Sequence, residues 1–418
     1  MLKEDNRRPM NLLTPYGWLS YMRYALRPAN EESRTALNEM GIKGVYPLDE
    51  YLGVDGLPFK VTCDMALQIA QKCINAASYE EVAKELTATY GNRPFGNKRH
   101  GCLSDDTVRS ITDYVAGIVL EAEDQFVEDM TTGYDPSRIK IGHRPGRPKK
   151  EPYIIYLQTD GATYPARKEG EINAGNHENK LGVIFTSDTM EEIVDKEGHV
   201  RPKIGEREYV CNVDGVEAHR KHLVATALKY DLEHADAMVI ISDGAEWIRL
   251  MKRDYFPFAL QILDLYHAKE NINKFADQEF GASGEKGKKW AVKACKLLEE
   301  GKWKELIALP EVYQYSDEGG KELPKGRFNL YNYLWNFRDC IDYPKYLEMG
   351  CLIGSGAVES GHRTVLQKRL KQPGMRWLPS KAAGVLVLRA KYLSGLWDID
   401  VRRPVVKKYR KKSAAISE

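Results

Sequence analysis

The sequence predicts an α/β protein: a mixed five-stranded sheet with flanking helices, carrying an all-α insertion and preceded by a helical region. Three observations predict it. Apolar runs of strand length recur between residues 153 and 263. The first three follow one another without a helix, whereas the last two alternate with helical patterns. From residue 277 to residue 346 the apolar spacing is helical only.

Residues 1–55 form an amino-terminal arm without clear periodicity, in which Tyr46-Pro47-Leu48-Asp49 reads as a turn entering a helix or an extended arm. Residues 56–135 read as helical. Met65, Ile69 and Ala70 share a face with Cys73 and Ile74. Ser78 and Glu81 fit a capping box, with the glutamate reaching back to the Ser78 position. After a Gly/Asn/Pro-rich loop, Ser104 caps a further helix with Val108, Ile111, Val115 and Ile118 at helical spacing. Helix, loop and capped helix suit a helix-turn-helix DNA reader, although the loop is longer than that motif's turn and Asp105 and Asp106 repel phosphate. A small helical packing domain fits equally. Residues 136–152 are a basic linker of alternating Pro, Gly and cations. Its Gly146-Arg147-Pro148 core is AT-hook-like, since a slim backbone carrying Arg144, Arg147, Lys149 and Lys150 can enter a narrow minor groove; a plain basic linker is the other reading.

Residues 153–276 carry the sheet. Tyr153–Thr159 is continuously apolar, as in a strand buried on both faces. Lys180–Thr186 and Arg207–Val213 follow, then a helix at His219–Tyr230, a strand at Ala237–Ser242, a helix at Glu246–Arg253, a strand at Phe258–Leu263 and a helix at Ala268–Ala276. The order β-β-β-α-β-α-β-α is that of the ribonuclease H-like fold. Residues 277–346 are the helical insertion, marked by Trp290 and Leu297, Trp303 and Leu306, and Tyr331 and Trp335. Residues 347–398 return to the core through a Gly-rich turn and a basic helix, and 399–418 form a basic tail.

The chain has 418 residues, 43% hydrophobic, and a net charge of +2 that hides strong segregation. Glu121, Glu123, Asp124, Glu128 and Asp129 make an acidic block. The linker and the tail (Arg402, Arg403, Lys407, Lys408, Arg410, Lys411, Lys412) are basic. Such blocks point to a polyanion, or to solvated linkers. The seven cysteines show no C-x-x-C pair, and no apolar run reaches the length of a bilayer span. The start lacks the apolar stretch of a secretory signal, so a cytoplasmic protein with reduced thiols and no membrane partner is expected.

Three acids carry the chemistry: Asp160, Asp243 and Glu359. Both aspartates end an apolar run and precede glycine, and the glutamate opens a helix. Strand ends are where open α/β sheets expose functional groups, and Gly161 and Gly244 would let the chain turn sharply there. Three carboxylates suffice for two Mg²⁺ or Mn²⁺ ions, because such ions keep several waters. Asp160 is assigned as the bridging ligand, with Asp243 on one ion and Glu359 on the other. His267 is the expected fourth catalytic group, contacting a scissile phosphate or orienting water; a helix-capping Asp264 and a buried His267 are the bland alternatives. Asp264 and Glu246 are expected to support these residues from behind, and Trp247 to be core. Around the glutamate, Arg363, Lys368, Arg369, Lys371 and Arg376 form a track for DNA, with no acid between Ser360 and Arg376. Trp377 offers a stacking face or a core residue.

These segments resemble bacterial insertion-sequence transposases of the Kra type, a DDE group related to Mutator-like transposases. DGA at 160–162, ISDGAEWI at 241–248, QILDLYHAKE at 261–270, IGSGAVES at 353–360 and LKQPGMRW at 370–377 carry the resemblance, over roughly residues 150–380. It implies a ribonuclease H-like core, with catalytic acids at Asp160, Asp243 and Glu359 and the Asp/Cys-x-x-His feature at Asp264 and His267. It also implies binding of terminal inverted repeats, cleavage, strand transfer by a 3′-hydroxyl, two divalent ions, and a homo-oligomer on DNA, nucleoid-associated when bound. Two departures stand out. Relatives often place a cysteine-paired zinc knuckle before the YPLDE-like segment, and residues 29–44 have no cysteine. Ala162 stands where relatives tend to have glycine. The same acids fit a ribonuclease H-like DNA nuclease or resolvase, and a repurposed, inactive transposase that only binds DNA.

Overall fold

Two long strands open the chain where periodicity is least clear: β1 (Leu2–Thr14) and β2 (Gly17–Pro28) pair antiparallel, with Thr14 opposite Gly17. The structure is a computed structural model that describes residues 2–39, 45–52, 54, 59–94, 101–142, 152–168, 174–194, 198, 200–282 and 284–414. Its chain divides into two units, Met1–Glu128 with Tyr164–His177 and Val365–Glu418, and Asp129–Thr163 with Glu178–Thr364.

In the first unit β1 buries Leu12 and Leu13. Asp49, in the helix Pro47–Tyr51, anchors β2. Its fully buried carboxylate accepts from Tyr21 Oη at 2.8 Å and pairs with Arg23 and with Lys60 at 3.3 Å. Tyr46 lies under the Arg23 guanidinium at 3.8 Å. The turn seen in the sequence at 46–49 is therefore an ionic clasp. Thr62 caps the helix Cys63–Asn75, and Ser78 caps Tyr79–Tyr90. Glu81 closes the capping box one residue earlier than expected, accepting from Ala77 N at 2.9 Å. Residues 76–78 separate these two helices; the long loop read in the sequence lies between Tyr90 and Asp105, and the helix before it exposes Glu80, Glu81, Lys84 and Glu85. Helix Asp105–Thr131 runs about 40 Å.

Two expected boundaries move. The carboxy-terminal helices Pro379–Leu393 and Arg403–Ala414 bring Val387, Leu388, Val405 and Tyr409 into the same core as Met65, Ile69, Val108 and Val115. So 365–398 does not group with the sheet, and most of the basic tail is a packed helix, with Lys408 on Glu121 at 2.9 Å.

The second unit holds the mixed sheet. Its strands are β3 (Ile154–Arg167), β4 (Ala174–Thr186), β7 (Glu208–Asn212), β8 (Ala237–Ser242) and β9 (Leu260–Leu263), in spatial order β7-β4-β3-β8-β9. β4 and β7 are antiparallel; β3–β8 and β8–β9 are parallel. A small hairpin, β5 (Met190–Val194) with β6 (Val200–Ile204), interrupts the expected succession. On one face Ile155, Leu157 and Ile240 pack with Leu223, Val224 and Ile248 of helices Val216–Leu228 and Glu246–Tyr255. Alternation sends Tyr156 and Gln158 to the other face, where they meet residues 350–358. Helices from Glu285–Glu299 to Tyr343–Glu348 account for the insertion. Among the described residues no helix is long and apolar enough to cross a membrane, and no disulfide joins the cysteines.

Candidate active site

Parallel pairing of β3 with β8 sets the first two acids. Gln158 stands opposite Ile241, and two residues further on each chain come Asp160 and Asp243. β3 does not end there, as the sequence led one to expect; it continues to Arg167, with Asp160 and Gly161 inside the strand. Gly161 makes no sharp turn. It leaves room, because a Cβ would run into the Glu178 carboxylate. Gly244 does turn: its φ is +91°, and a Cβ would lie 2.8 Å from the Phe337 ring.

Asp160 Oδ1 accepts from Gly161 N at 2.6 Å, and Oδ2 stands 3.4 Å from His362 Nε2. Burial pushes this carboxyl up, but contact with and charge on His362, the Gly161 amide and the charge of His267 outweigh it and hold it below the usual range. Asp243 goes the other way. Burial raises it, the neighbouring Asp160 charge raises it further, and the Ala245 amide at 2.9 Å and His267 offset only part. A half-buried carboxylate whose ionisation is opposed by burial and by a neighbouring carboxylate is what a divalent cation relieves.

The third acid arrives through a clamp. Gln158 is fully buried and uses both ends of its amide: Nε2 donates to Gly354 O at 3.1 Å, and Oε1 accepts from Ala357 N at 3.1 Å and Val358 N at 3.2 Å. These are amino-terminal amides of the helix Gly356–Gly361; Val358 N also bonds Ser355 O at 3.1 Å. Glu359 is thereby tied to the strand that bears Asp160. Asp264, also fully buried, caps the helix Leu265–Phe280 through His267 N at 2.7 Å and accepts from Ser355 N. The aspartate predicted as a supporting residue thus holds both His267 and the glutamate loop. His267 Nε2 lies 3.9 Å from Glu359 Oε1, and Nδ1 lies 3.3 Å from Glu270 Oε2.

Two of the expected roles are corrected. Glu246 is exposed and bonds Arg249 at 2.7 Å on its own helix, one turn away, because i,i+3 neighbours on a helix surface meet before either can reach across the sheet. Arg369 is 1% exposed in the first unit, donates from Nε to Cys73 O at 3.0 Å and stacks on Tyr79 and Trp377. It is no surface contact for DNA, since the aromatic rings and a helix-end carbonyl hold it inside. Trp377, 8% exposed, is core. Arg363 in the second unit and Lys368, Lys371 and Arg376 in the first are exposed. Arg144, Arg147, Lys149 and Lys150 lie outside the described residues.

Sequence reasoning missed Gln158 and His362. Both signals were there: Gln158 shares a strand face with Asp160, and His362 follows Glu359 by three residues. Among the described residues no three His, Cys, Asp or Glu side chains already converge on one point at ligating separation. The donor set of hard carboxylate oxygens nevertheless suits Mg²⁺ or Mn²⁺, and the mutual repulsion at Asp243 supplies a reason for a cation to enter. No protein-family model matches the chain, and no curated protein does.

Proposed function

We propose that this chain is a DDE transposase that binds the terminal inverted repeats of an insertion sequence, cuts strands there and joins them to target DNA. One observation carries the reading: Asp160 lies on β3 and Asp243 just past the end of the parallel strand β8, each two residues beyond the paired Gln158 and Ile241, and Gln158 ties the Glu359 helix to β3. Element order supports a ribonuclease H-like core, with three strands in succession and then two preceded by helices. Asp160, Asp243 and Glu359 are the residues to hold two Mg²⁺ or Mn²⁺ ions. When bound, such ions activate a water or 3′-hydroxyl and stabilise the leaving oxygen.

The protein's own groups have separate tasks. His362 stands 3.4 Å from Asp160 Oδ2 and helps hold its carboxyl below the usual range. His267, on a helix start fixed by Asp264, faces Glu359 and is placed to carry a proton or meet a phosphate oxygen. Exposed Arg363, Lys368, Lys371 and Arg376 supply cations for the DNA backbone. Pairing two element ends calls for a homo-oligomer.

The test is cleavage of a labelled duplex carrying the ends of the encoding element, with Mg²⁺ or Mn²⁺, for wild type and Asp160→Asn. Metal-dependent cuts that vanish in the variant, with transfer products on added target, support the transposase. Cuts without transfer favour a nuclease or resolvase on the same core. Binding without cuts in either protein means a repurposed DNA-binding protein.

A further inference from the structure

Arg369 is a buried cation without a carboxylate partner among the described residues. Of its nitrogens, Nε is satisfied by Cys73 O at 3.0 Å and Nη1 reaches only the Met375 thioether at 3.7 Å; Nη2 has no hydrogen-bond partner. Trp377, over which the guanidinium lies at 4.9 Å, also has an unpartnered indole N–H. Both side chains line one cavity of about 620 Å³ within the first unit. Buried donors without acceptors are rare, and a charged one is rarer.

The rest of the wall has the same sign. Asp113 is its one acid, and Lys381 occupies it at 3.0 Å. Arg109 is taken by Asp106 at 2.6 Å. Arg167, exposed at the rim, has no carboxylate partner among the described residues, and exposed Arg376 stands on the same wall. The orphan donors are covered as the cavity stands. Met375, whose sulfur lies 3.7 Å from Arg369 Nη1, lines the same cavity and is an unbranched thioether that yields readily.

We propose that this cavity is a binding site for a phosphate group, held by Arg369, Trp377 Nε1 and Arg167. A tetrahedral anion with several acceptor oxygens matches orphan donors arriving from different directions, and two guanidiniums without acids match its charge. The phosphate belongs either to a nucleic-acid strand or to a free phosphate or nucleotide. The site does not depend on the three carboxylates, and it needs no divalent ion.

The experiment is calorimetric titration of the full-length protein in a chelator. The titrants are inorganic phosphate against chloride at matched ionic strength, and then a single-stranded oligonucleotide with dephosphorylated ends. Wild type is expected to bind phosphate. Arg167→Ala should weaken it roughly tenfold or more, and Arg369→Met, whose apolar side chain suits the aromatic cage, should abolish it. Arg167 is exposed, so its variant stays informative if the other does not fold. Displacement of phosphate by the oligonucleotide assigns the site to strand phosphates, and failure to displace assigns it to the free anion. No phosphate response beyond that of chloride, or an equal response in wild type and Arg167→Ala, overturns the proposal. Because no metal or cleavage is involved, that result leaves the transposase reading standing.

Discussion

Replacing Gln158 by Leu should release the glutamate helix while leaving the sheet in place. The side chain is buried, of similar size to leucine, and makes three hydrogen bonds of 3.1, 3.1 and 3.2 Å. Leucine fills the space but takes away the partners of Gly354 O and the Ala357 N–H, while Val358 N–H keeps only Ser355 O at 3.1 Å. Each buried polar group left unpaired costs about 1–3 kcal/mol. Two groups are left unpaired and a third loses one of its two partners, so about 3 kcal/mol is expected. At 1.4 kcal/mol per decade, amides of residues 354–361 should exchange with solvent roughly 100-fold faster. Hydrogen exchange reads this directly, with amides of β8 as the internal control. Metal-dependent cleavage should fall in parallel. Gln158→Glu keeps the acceptor for both amides and loses only the donor to Gly354, so it should sit between. Exchange at 357 and 358 within twofold of wild type, with cleavage intact, would refute the claim that this amide positions Glu359.

The remaining predictions concern the ions, the amino-terminal clasp and the insertion. Mg²⁺ or Mn²⁺ should raise the melting temperature of wild type but not of Asp160→Asn or Asp243→Asn, and a chelator should abolish cleavage; equal metal stabilisation in the variants would remove these residues from the ligand set. Asp49→Ala leaves Arg23 and Lys60 without their shared carboxylate and should destabilise the first unit by about 3–5 kcal/mol in urea unfolding. Glu279, 16% exposed, receives Tyr315 Oη at 2.7 Å and Gln314 Nε2 at 3.0 Å. Burial opposes its charge, but these donors, Lys321 and Arg327 outweigh it and hold the carboxyl below its usual range. A depressed carboxyl stabilises above its unfolded value of about 4.3 and loses that contribution as pH falls through the folded value. Glu279→Gln should therefore cost about 1–2 kcal/mol at pH 7 and much less near pH 3; a pH-independent difference would contradict the sign.

Much of the sheet was legible because strands buried on both faces leave continuous apolar runs, as Ile154–Leu157 and Met238–Ile241 do. The two aspartates stood out because each follows such a run and precedes glycine, and Glu359 because it opens a helix after a Gly-rich turn. Gln158 did not, since a lone glutamine in a strand says nothing of what it meets some two hundred residues later. β1 and β2 were missed for a related reason: their burial does not alternate cleanly, so the period-2 signal is lost. Arg369 was misread because a cation among exposed cations looks like surface until its neighbours are known.

By itself, then, the sequence determined the apolar cores of the sheet strands and the capped helix starts, which carboxylates end up beside glycines, and that cations crowd the region after Glu359. Those are local properties, set by periodicity, capping and charge along the chain. The tertiary structure alone decided register, partners and membership: that Asp160 stands beside Asp243, that Gln158 and Asp264 hold the glutamate loop, that Val387 and Tyr409 share a core with Met65, and that Arg369 is inside. Each depends on residues far apart in sequence meeting across a sheet or a core, and no local pattern encodes which distant group will satisfy a buried donor or charge.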